Sequence, residues 1–354
     1  NDLIPIYKMN IDPEDYHINT EAIIKKDSIY KLIENGEPHH CVDLVLLGEG
    51  YTAGEIEKFK SDLRKYSNIL FSIEPFKSNS SKFNITGILS FSMQSGADEP
   101  TFGKYKNTVL NATFNSLDSP RYLLTADNKK IRNIASQAPY DLAYIMVNIE
   151  RYGGGGIYNT LGLFTASEVK WNDYVFLHEF GHFFAGLGDE YYTSSVAYDE
   201  FYPRGVEPLE ANLTALLDPD NVKWKSCLSP GIKVPTEWGK AKFDSMHTTI
   251  DKLTSKRNEL IDSLKNCRAP QSEISRYTNT YNDRINDIRG QIDDFISNHP
   301  LRGKIGVFEG AGYSAEGLYR PTVNSIMHKF DEKDRSYYKV NEAHLQKMIN
   351  YYCK

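Results

Sequence analysis

Several features that mark other classes of protein are scarce or missing in this sequence. Only four of the 354 residues are cysteines, and none lies in a C-x-x-C pair, which excludes the usual pattern of a zinc ribbon or a thioredoxin-like site. No stretch reaches the roughly 18 consecutive apolar residues of a membrane helix, so we expect no membrane span. Lysine and arginine total 41 against 47 acidic residues, for a formal net charge of −6, and they are dispersed along the chain. The attraction that dominates nucleic-acid binding is therefore missing, and we expect no nucleic-acid partner.

The composition is that of a globular protein, with 40% hydrophobic and 25% charged residues. The chain begins at Asn1, and neither a basic stretch nor an apolar signal core follows, so we expect any targeting leader to be absent already. Residues 1–40 are polar and contain a turn signal at residues 34–37. They predict a small strand-rich leader that is too short to form a domain of its own.

Strand and helix patterns alternate in the first half of the chain. Residues 41–47 contain four β-branched or leucine residues in succession, and a glycine-rich turn closes the segment, as expected for a fully buried strand. Strand patterns also occur at residues 83–91 and 143–147, and helix patterns at residues 53–70 and 127–138. This alternation predicts an α/β domain with a largely parallel sheet.

Four consecutive glycines follow the third predicted strand, at residues 153–156. They lack both the G-x-G-x-x-G spacing and the Lys-Ser/Thr ending of phosphate-binding loops, so a phosphate site is disfavoured. We predict a flexible turn at these glycines and an edge strand at residues 158–165.

Residues 246–298 have a different pattern from the rest of the chain. Two stretches carry apolar residues at three- and four-residue spacing, and Ala269-Pro270 separates them. This pattern predicts an inserted antiparallel helical hairpin whose two apolar stripes pack on each other.

The strongest chemical signal is an H-E-x-x-H motif, on a predicted helix with Asn172 or Asp173 as its N-cap. His178 and His182 are one turn apart, about 6 Å along the axis, so both imidazoles can bind one metal ion. Glu179 is rotated by about 100° from His178 and can reach a water on that metal without being a ligand. The alternative is a helix whose two histidines are only hydrogen-bonded.

A third ligand has to come from beyond the end of this helix. Asp189 lies seven residues after His182, which on a continuous helix would be about 10 Å further along the axis and out of reach. Gly186 and Gly188 supply the break, because glycine accepts the positive φ of a helix end. Asp189 is therefore the predicted oxygen ligand, and Glu190 is its nearest competitor.

A methionine much further along the chain accompanies this motif, in the run Asn324-Ser-Ile-Met-His. The zinc motif, its glycine-containing extension and Met327 together resemble the metzincin clan of zinc endopeptidases, in which a Met-turn lies beneath the metal site. Two features depart from the clan: the third ligand is Asp189 instead of a histidine and comes one residue later, and Lys329 stands where some members have a tyrosine. No transition-state tyrosine is carried over to that position.

A narrower resemblance covers about residues 41–330, apart from the hairpin. The sequence is similar to the bacterial IgA peptidase family of zinc metallopeptidases in runs at residues 43–52, 178–191, 308–313 and 319–327. This resemblance implies zinc as the cofactor, with Glu179 as catalytic base and with three zinc ligands, His178, His182 and Asp189. The family name records the substrate of a few members, so IgA cleavage is not implied.

The resemblance also implies a fold and a setting. The expected fold is an α/β (α+β), metzincin-like zinc peptidase with a mixed twisted sheet, an active-site helix, an irregular C-terminal subdomain and the inserted hairpin. Residues 41–354 would form the catalytic domain. The expected activity is endopeptidase cleavage of protein or peptide substrates, among them extracellular host or glycan-associated proteins, by a secreted, periplasmic or cell-surface protein.

Two alternatives stay open. In a thermolysin-like arrangement, Glu200 would be the third ligand, 18 residues after His182, although the segment before Glu200 is a poor helix. In the other, the chain is a non-catalytic zinc-containing scaffold or adhesin. Structural zinc sites usually have four Cys or His ligands, whereas three ligands here leave one position open beside a carboxylate.

Overall fold

The computed structural model describes residues 10, 12, 14–15, 27–38, 40–193, 201–332 and 334–353. Within these residues, the strands are β1 Ser28–Ile33, β2 Val42–Glu49, β3 Phe83–Leu89, β4 Leu142–Val147, β5 Gly154–Ile157, β6 Leu161–Thr165, β7 Phe308–Ala311 and β8 Ser314–Arg320. The α-helices are α1 Ile56–Leu70, α2 Asn128–Ala135, α3 Lys170–Ala185, α4 Lys240–Asn266, α5 Gln271–Ser297 and α6 Tyr338–Tyr352. None of these helices has the length and apolar character that a membrane span requires.

The chain divides into two compact units. The first comprises Asn1–Leu187, Leu209–Ala211 and Asn341–Lys354, and the second comprises Gly188–Pro208 and Asn212–Val340. The predicted division into a leader of residues 1–40 and a catalytic domain of residues 41–354 stays a prediction, since much of that leader lies outside the described residues.

The first unit is built on a six-stranded mixed sheet with the strand order β1-β3-β2-β4-β6-β5. The four central strands are parallel, and β1 and β5 pair antiparallel at the two edges. Every residue of β2 is buried, as expected for a central strand that is covered on both faces. The mixed sheet and its alternating helices confirm the predicted α/β class.

An aromatic cluster fixes α3 against the sheet. Tyr144 on β4 stacks on Phe176 of α3, with ring centroids 5.4 Å apart, and Phe164 on β6 meets the same ring edge-on at 4.8 Å. The Tyr144 hydroxyl donates a hydrogen bond to the Phe176 carbonyl at 2.8 Å. Because aromatic pairs add specific geometry to apolar burial, these contacts set the position of α3 as well as its stability.

The glycine run differs from the predicted turn. Residues 154–157 are β5, an edge strand that pairs with β6, while β6 itself is an inner strand between β4 and β5. The predicted edge strand at residues 158–165 was therefore wrong. The edge strand is β5, whose glycines carry no strand pattern, and two of them, Gly154 and Gly156, lie close against α3.

Among its described residues, the second unit has less regular structure outside a helical hairpin and a β-hairpin, β7 with β8. The helical hairpin, α4 and α5, was predicted at residues 246–298, and the structure starts it six residues earlier at Lys240. Gly239 precedes it with φ +74°, and Phe243 in its first turn is buried against Tyr192, which is 51 positions earlier in the chain. This apolar contact is tertiary, so the local pattern did not reveal it.

Candidate metal centre

The helix that carries the histidines, α3, begins at Lys170, earlier than the predicted caps. Asn172 lies inside its first turn, where its buried side-chain amide donates to the Ser167 hydroxyl at 2.6 Å. The helix ends at Ala185, and Gly186 follows in the left-handed conformation with φ +60°. The predicted glycine break is therefore confirmed.

The two histidines of α3 face each other. Their Nε2 atoms are 3.1 Å apart, and the rings are nearly perpendicular with centroids 4.7 Å apart. His178 is buried and His182 is half-buried. One helical turn thus brings two imidazole nitrogens to one point, as the spacing predicted.

The outer nitrogens of both rings have partners that orient them. Nδ1 of His182 lies 2.5 Å from the carbonyl oxygen of Leu187, and because a carbonyl can only accept, Nδ1 carries the proton. A neutral His182 ring then presents an unprotonated Nε2. Nδ1 of His178 lies 3.3 Å from the Tyr174 hydroxyl. Such outer partners fix the tautomer and orientation of histidine ligands.

Asp189 is brought to the same point. Ligand atoms of His178, His182 and Asp189 lie within 4.8 Å of one another, the only such group of three or more metal-binding side chains within the part of the chain that the structure describes. Asp189 is buried, and the Tyr313 hydroxyl donates a hydrogen bond to its Oδ2 atom.

Glu190, the competing ligand, has other partners. Its buried carboxylate accepts hydrogen bonds from the Asn212 amide at 3.1 Å and the Ser325 hydroxyl at 2.8 Å. Its backbone N–H donates to the carbonyl of Met327 at 2.8 Å. Glu190 therefore fastens the segment after Asp189 to the predicted Met-turn. Glu200 lies outside the described residues.

The segment around Met327 is buried and adjoins a histidine that burial holds neutral. Met327 is fully buried, and Nδ1 of His328 lies 3.0 Å from the side-chain oxygen of Asn324. Burial lowers the pKa of His328 well below its usual value, and the positive charges of Arg320 and Lys329 lower it further. The role of Met327 as the floor of a metal site stays a prediction.

The glycines of β5 allow close contact with α3. A Cβ atom at Gly156 would lie 2.5 Å from the carbonyl oxygen of Glu179 and 2.9 Å from Cβ of His182. A Cβ atom at Gly154 would lie 2.8 Å from Cγ of Glu179. The close approach of β5 to the helix therefore requires glycine at both positions.

Replacing Gly156 by alanine should disturb this contact. We expect Gly156→Ala to lower the free energy of unfolding by about 1–3 kcal/mol, the usual cost of overpacking, because backbone has to move. Gly290, on the exposed side of α5, is the control: a Cβ atom there meets nothing within 4 Å. Gly290→Ala should instead raise stability by about 0.5–1 kcal/mol through helix propensity. Urea unfolding measures both, and equal stability of Gly156→Ala and wild type would contradict the packing described.

Comparison with known protein families identifies the family of this chain. The family described as IgA Peptidase M64 matches residues 30–349, which is nearly the whole sequence. The chain belongs to the IgA peptidase family. IgA peptidases of this family are metallopeptidases, so the chain is a metallopeptidase and acts on protein or peptide substrates. No individual curated protein matched the sequence.

The donor set of this chain fits a catalytic metal ion, which membership in a metallopeptidase family implies. Two neutral imidazoles and one carboxylate are a common ligand set of catalytic zinc, which keeps a further position open. Zinc-nitrogen bonds of about 2.0–2.1 Å at a tetrahedral angle separate two ligating nitrogens by about 3.3 Å. The observed separation between His178 and His182, 3.1 Å, is close to that value.

The structure adds residues to the site that sequence reasoning missed. Tyr174 contacts His178, and Tyr313 contacts Asp189. The Asn212 side chain accepts a hydrogen bond from the N–H of Gly188 and donates one to the Gly188 carbonyl. Tyr174 is four residues before His178, so helical spacing could have identified it. Tyr313 and Asn212 are distant in sequence and carry no local signal.

Proposed function

We propose that this peptidase is a zinc-dependent endopeptidase with Glu179 as its general base and His178, His182 and Asp189 as its metal ligands. The observation that carries the proposal is the convergence of ligand atoms of these three side chains within 4.8 Å. The two histidines lie on α3, which also carries Glu179, and Asp189 follows the end of that helix. Membership in the family supports the peptidase activity, and the donor chemistry supports zinc as the metal.

When bound, zinc would supply Lewis-acid chemistry that lowers the pKa of water and polarises a peptide carbonyl. Glu179 follows His178 on α3, so its carboxylate projects about 100° around the helix from the ligand face. There it accepts the proton of the attacking water and delivers it to the departing amine. The Nδ1–H group of His182 donates to the Leu187 carbonyl, which stabilises the tautomer that would leave Nε2 available to the metal.

The edge of the sheet supports binding of an extended substrate. β5 is an edge strand, and Ile157 and Tyr158 at its end are about half exposed. The backbone of Tyr122 already bridges Gly154 on the outer side, so an added strand would pair from Gly156 onward. Pairing with extended backbone favours cleavage within chains.

We also propose an extracellular setting, with secreted, periplasmic or cell-surface location and with extracellular or glycan-associated proteins as substrates. This part of the proposal rests on the likeness to the IgA peptidase family. The substrate in the family name is a property of other members.

Metal removal tests the proposed function. The protein, treated with a chelator and dialysed, should lose all cleavage of a mixture of unfolded extracellular proteins, and one equivalent of zinc should restore it. New peptide termini are mapped by mass spectrometry, and internal termini identify an endopeptidase. Undiminished cleavage by the metal-free protein would contradict zinc dependence. A lack of cleavage by the zinc-loaded protein would favour a scaffold or adhesin.

A further inference from the structure

The turn between β7 and β8 holds a bulky residue in a conformation that favours glycine. Ala311 pairs with Ser314, so Gly312 and Tyr313 are the two residues of the loop, and their φ angles are +54° and +65°. Positive φ at both positions is the feature of a type I′ hairpin turn, where Asn-Gly and Gly-Gly predominate. A tyrosine is strained there because its Cβ atom crowds the backbone. The contacts of its side chain offer a reason for its presence.

Tyr313 is fastened to the segment that carries Asp189. Its hydroxyl donates a hydrogen bond to Oδ2 of Asp189. The N–H of Gly312 donates to the Asp189 carbonyl at 2.9 Å, and the N–H of Tyr313 donates to the Tyr191 carbonyl at 3.0 Å. The rings of Tyr191 and Tyr313 also meet edge-on, with centroids 5.6 Å apart. Backbone and side chain together therefore fix the turn relative to Asp189.

The surroundings hold this strained turn in place. Arg320 is fully buried, and its guanidinium donates to the carbonyls of Glu309 and Gly310, just before the turn. The same guanidinium lies 4.6 Å from the centre of the Trp238 ring. A strained backbone conformation persists where the surrounding structure determines it, and such positions cluster at functional sites.

We propose that Tyr313 is a positioning residue of the metal centre. Its hydroxyl holds one oxygen of the Asp189 carboxylate and so presents the other oxygen to the metal in a fixed orientation. This inference rests on the proposed metal site. This role differs from that of the tyrosine that some metzincins have at the position of Lys329. Tyr313 orients a metal ligand, and the proposal involves no contact between Tyr313 and the substrate.

Tyr313→Phe tests the role of the hydroxyl. The variant keeps the ring on Tyr191 and the backbone bonds of the turn, and removes the hydroxyl that donates to Asp189. We expect zinc affinity, measured by competition with a chromogenic chelator, to fall about 10- to 100-fold, the usual effect of removing an outer partner of a ligand. The visible absorption bands of the cobalt-loaded protein should shift, which a loss of stability alone would not cause.

The matched control is Tyr192→Phe. The Tyr192 hydroxyl also donates to an aspartate, Asp244, at 2.6 Å and in the same unit. Its loss should leave zinc affinity and the cobalt spectrum unchanged. If circular dichroism shows that Tyr313→Phe does not fold, Tyr313→Gly, which suits the positive φ, should show the same loss of affinity.

Wild-type zinc affinity in the folded Tyr313 variants would overturn this inference alone. So would an equal loss in Tyr192→Phe, since the effect would then be general to the unit. Wild-type protein that binds no zinc would overturn the proposed metal site itself, and with it the role of Tyr313.

Discussion

Glu179→Gln should lower kcat/KM on a peptide substrate by about 10²- to 10⁴-fold while the protein retains one zinc ion. Glutamine has nearly the shape of glutamate but cannot accept the proton of the attacking water. Zinc content should not change, because Glu179 is not among the three converging ligand residues. Cleavage of a fluorogenic peptide, chosen from the mapped termini, and metal analysis of the same sample measure the two quantities together.

The control for this variant is Glu168→Gln, just before α3. Glu168 is exposed and lies 3.8 Å from Lys65 in a surface ion pair, which contributes little to stability. Its replacement should leave kcat/KM unchanged. Full activity of Glu179→Gln would remove Glu179 from the mechanism, and a loss of zinc from that variant would show that Glu179 has a role in metal binding.

Asp189→Ala should produce the largest loss of zinc. Removing one of three protein ligands costs more than the about 10- to 100-fold loss typical of an outer partner, so we expect zinc affinity to fall by more than 100-fold and activity to disappear at low zinc concentration. Chelator competition measures the affinity.

Two further variants separate Asp189 from its competitors. Glu190→Gln preserves the shape of a side chain that is hydrogen-bonded to Asn212 and Ser325. Glu200→Gln tests the thermolysin-like alternative. Both should bind zinc nearly as tightly as wild type. If either one loses the metal while Asp189→Ala retains it, the ligand assignment is wrong.

The parts of the site that could be predicted are local in sequence. The facing of His178 and His182 follows from the helical repeat, which covalent geometry sets. The break at Gly186 follows from the left-handed φ that glycine accepts, and this break allows Asp189 to turn back. The buried strand β2 could also be predicted, because four consecutive apolar residues, Leu44 to Leu47, lie within it.

The parts that could not be predicted depend on tertiary contacts. Glycine has low strand propensity, so the run that includes β5 was predicted as a turn. The closeness of α3 to Gly154 and Gly156, which accounts for glycine at these two positions, is a tertiary feature. Tyr313 reaches Asp189 across 124 positions of sequence, and no local pattern connects them. At the early start of α4, Phe243 packs on Tyr192, which is distant in sequence.

X-ray absorption at the zinc K-edge tests most directly the central claim that His178, His182 and Asp189 bind one zinc ion. We predict a first shell of nitrogen and oxygen only, at about 2.0–2.2 Å, with outer-shell scattering from two imidazoles that is reduced in His182→Ala. A sulfur shell at about 2.3 Å would contradict the account. So would a spectrum that is identical in the wild type, His182→Ala and Asp189→Ala, because the zinc would then be bound elsewhere.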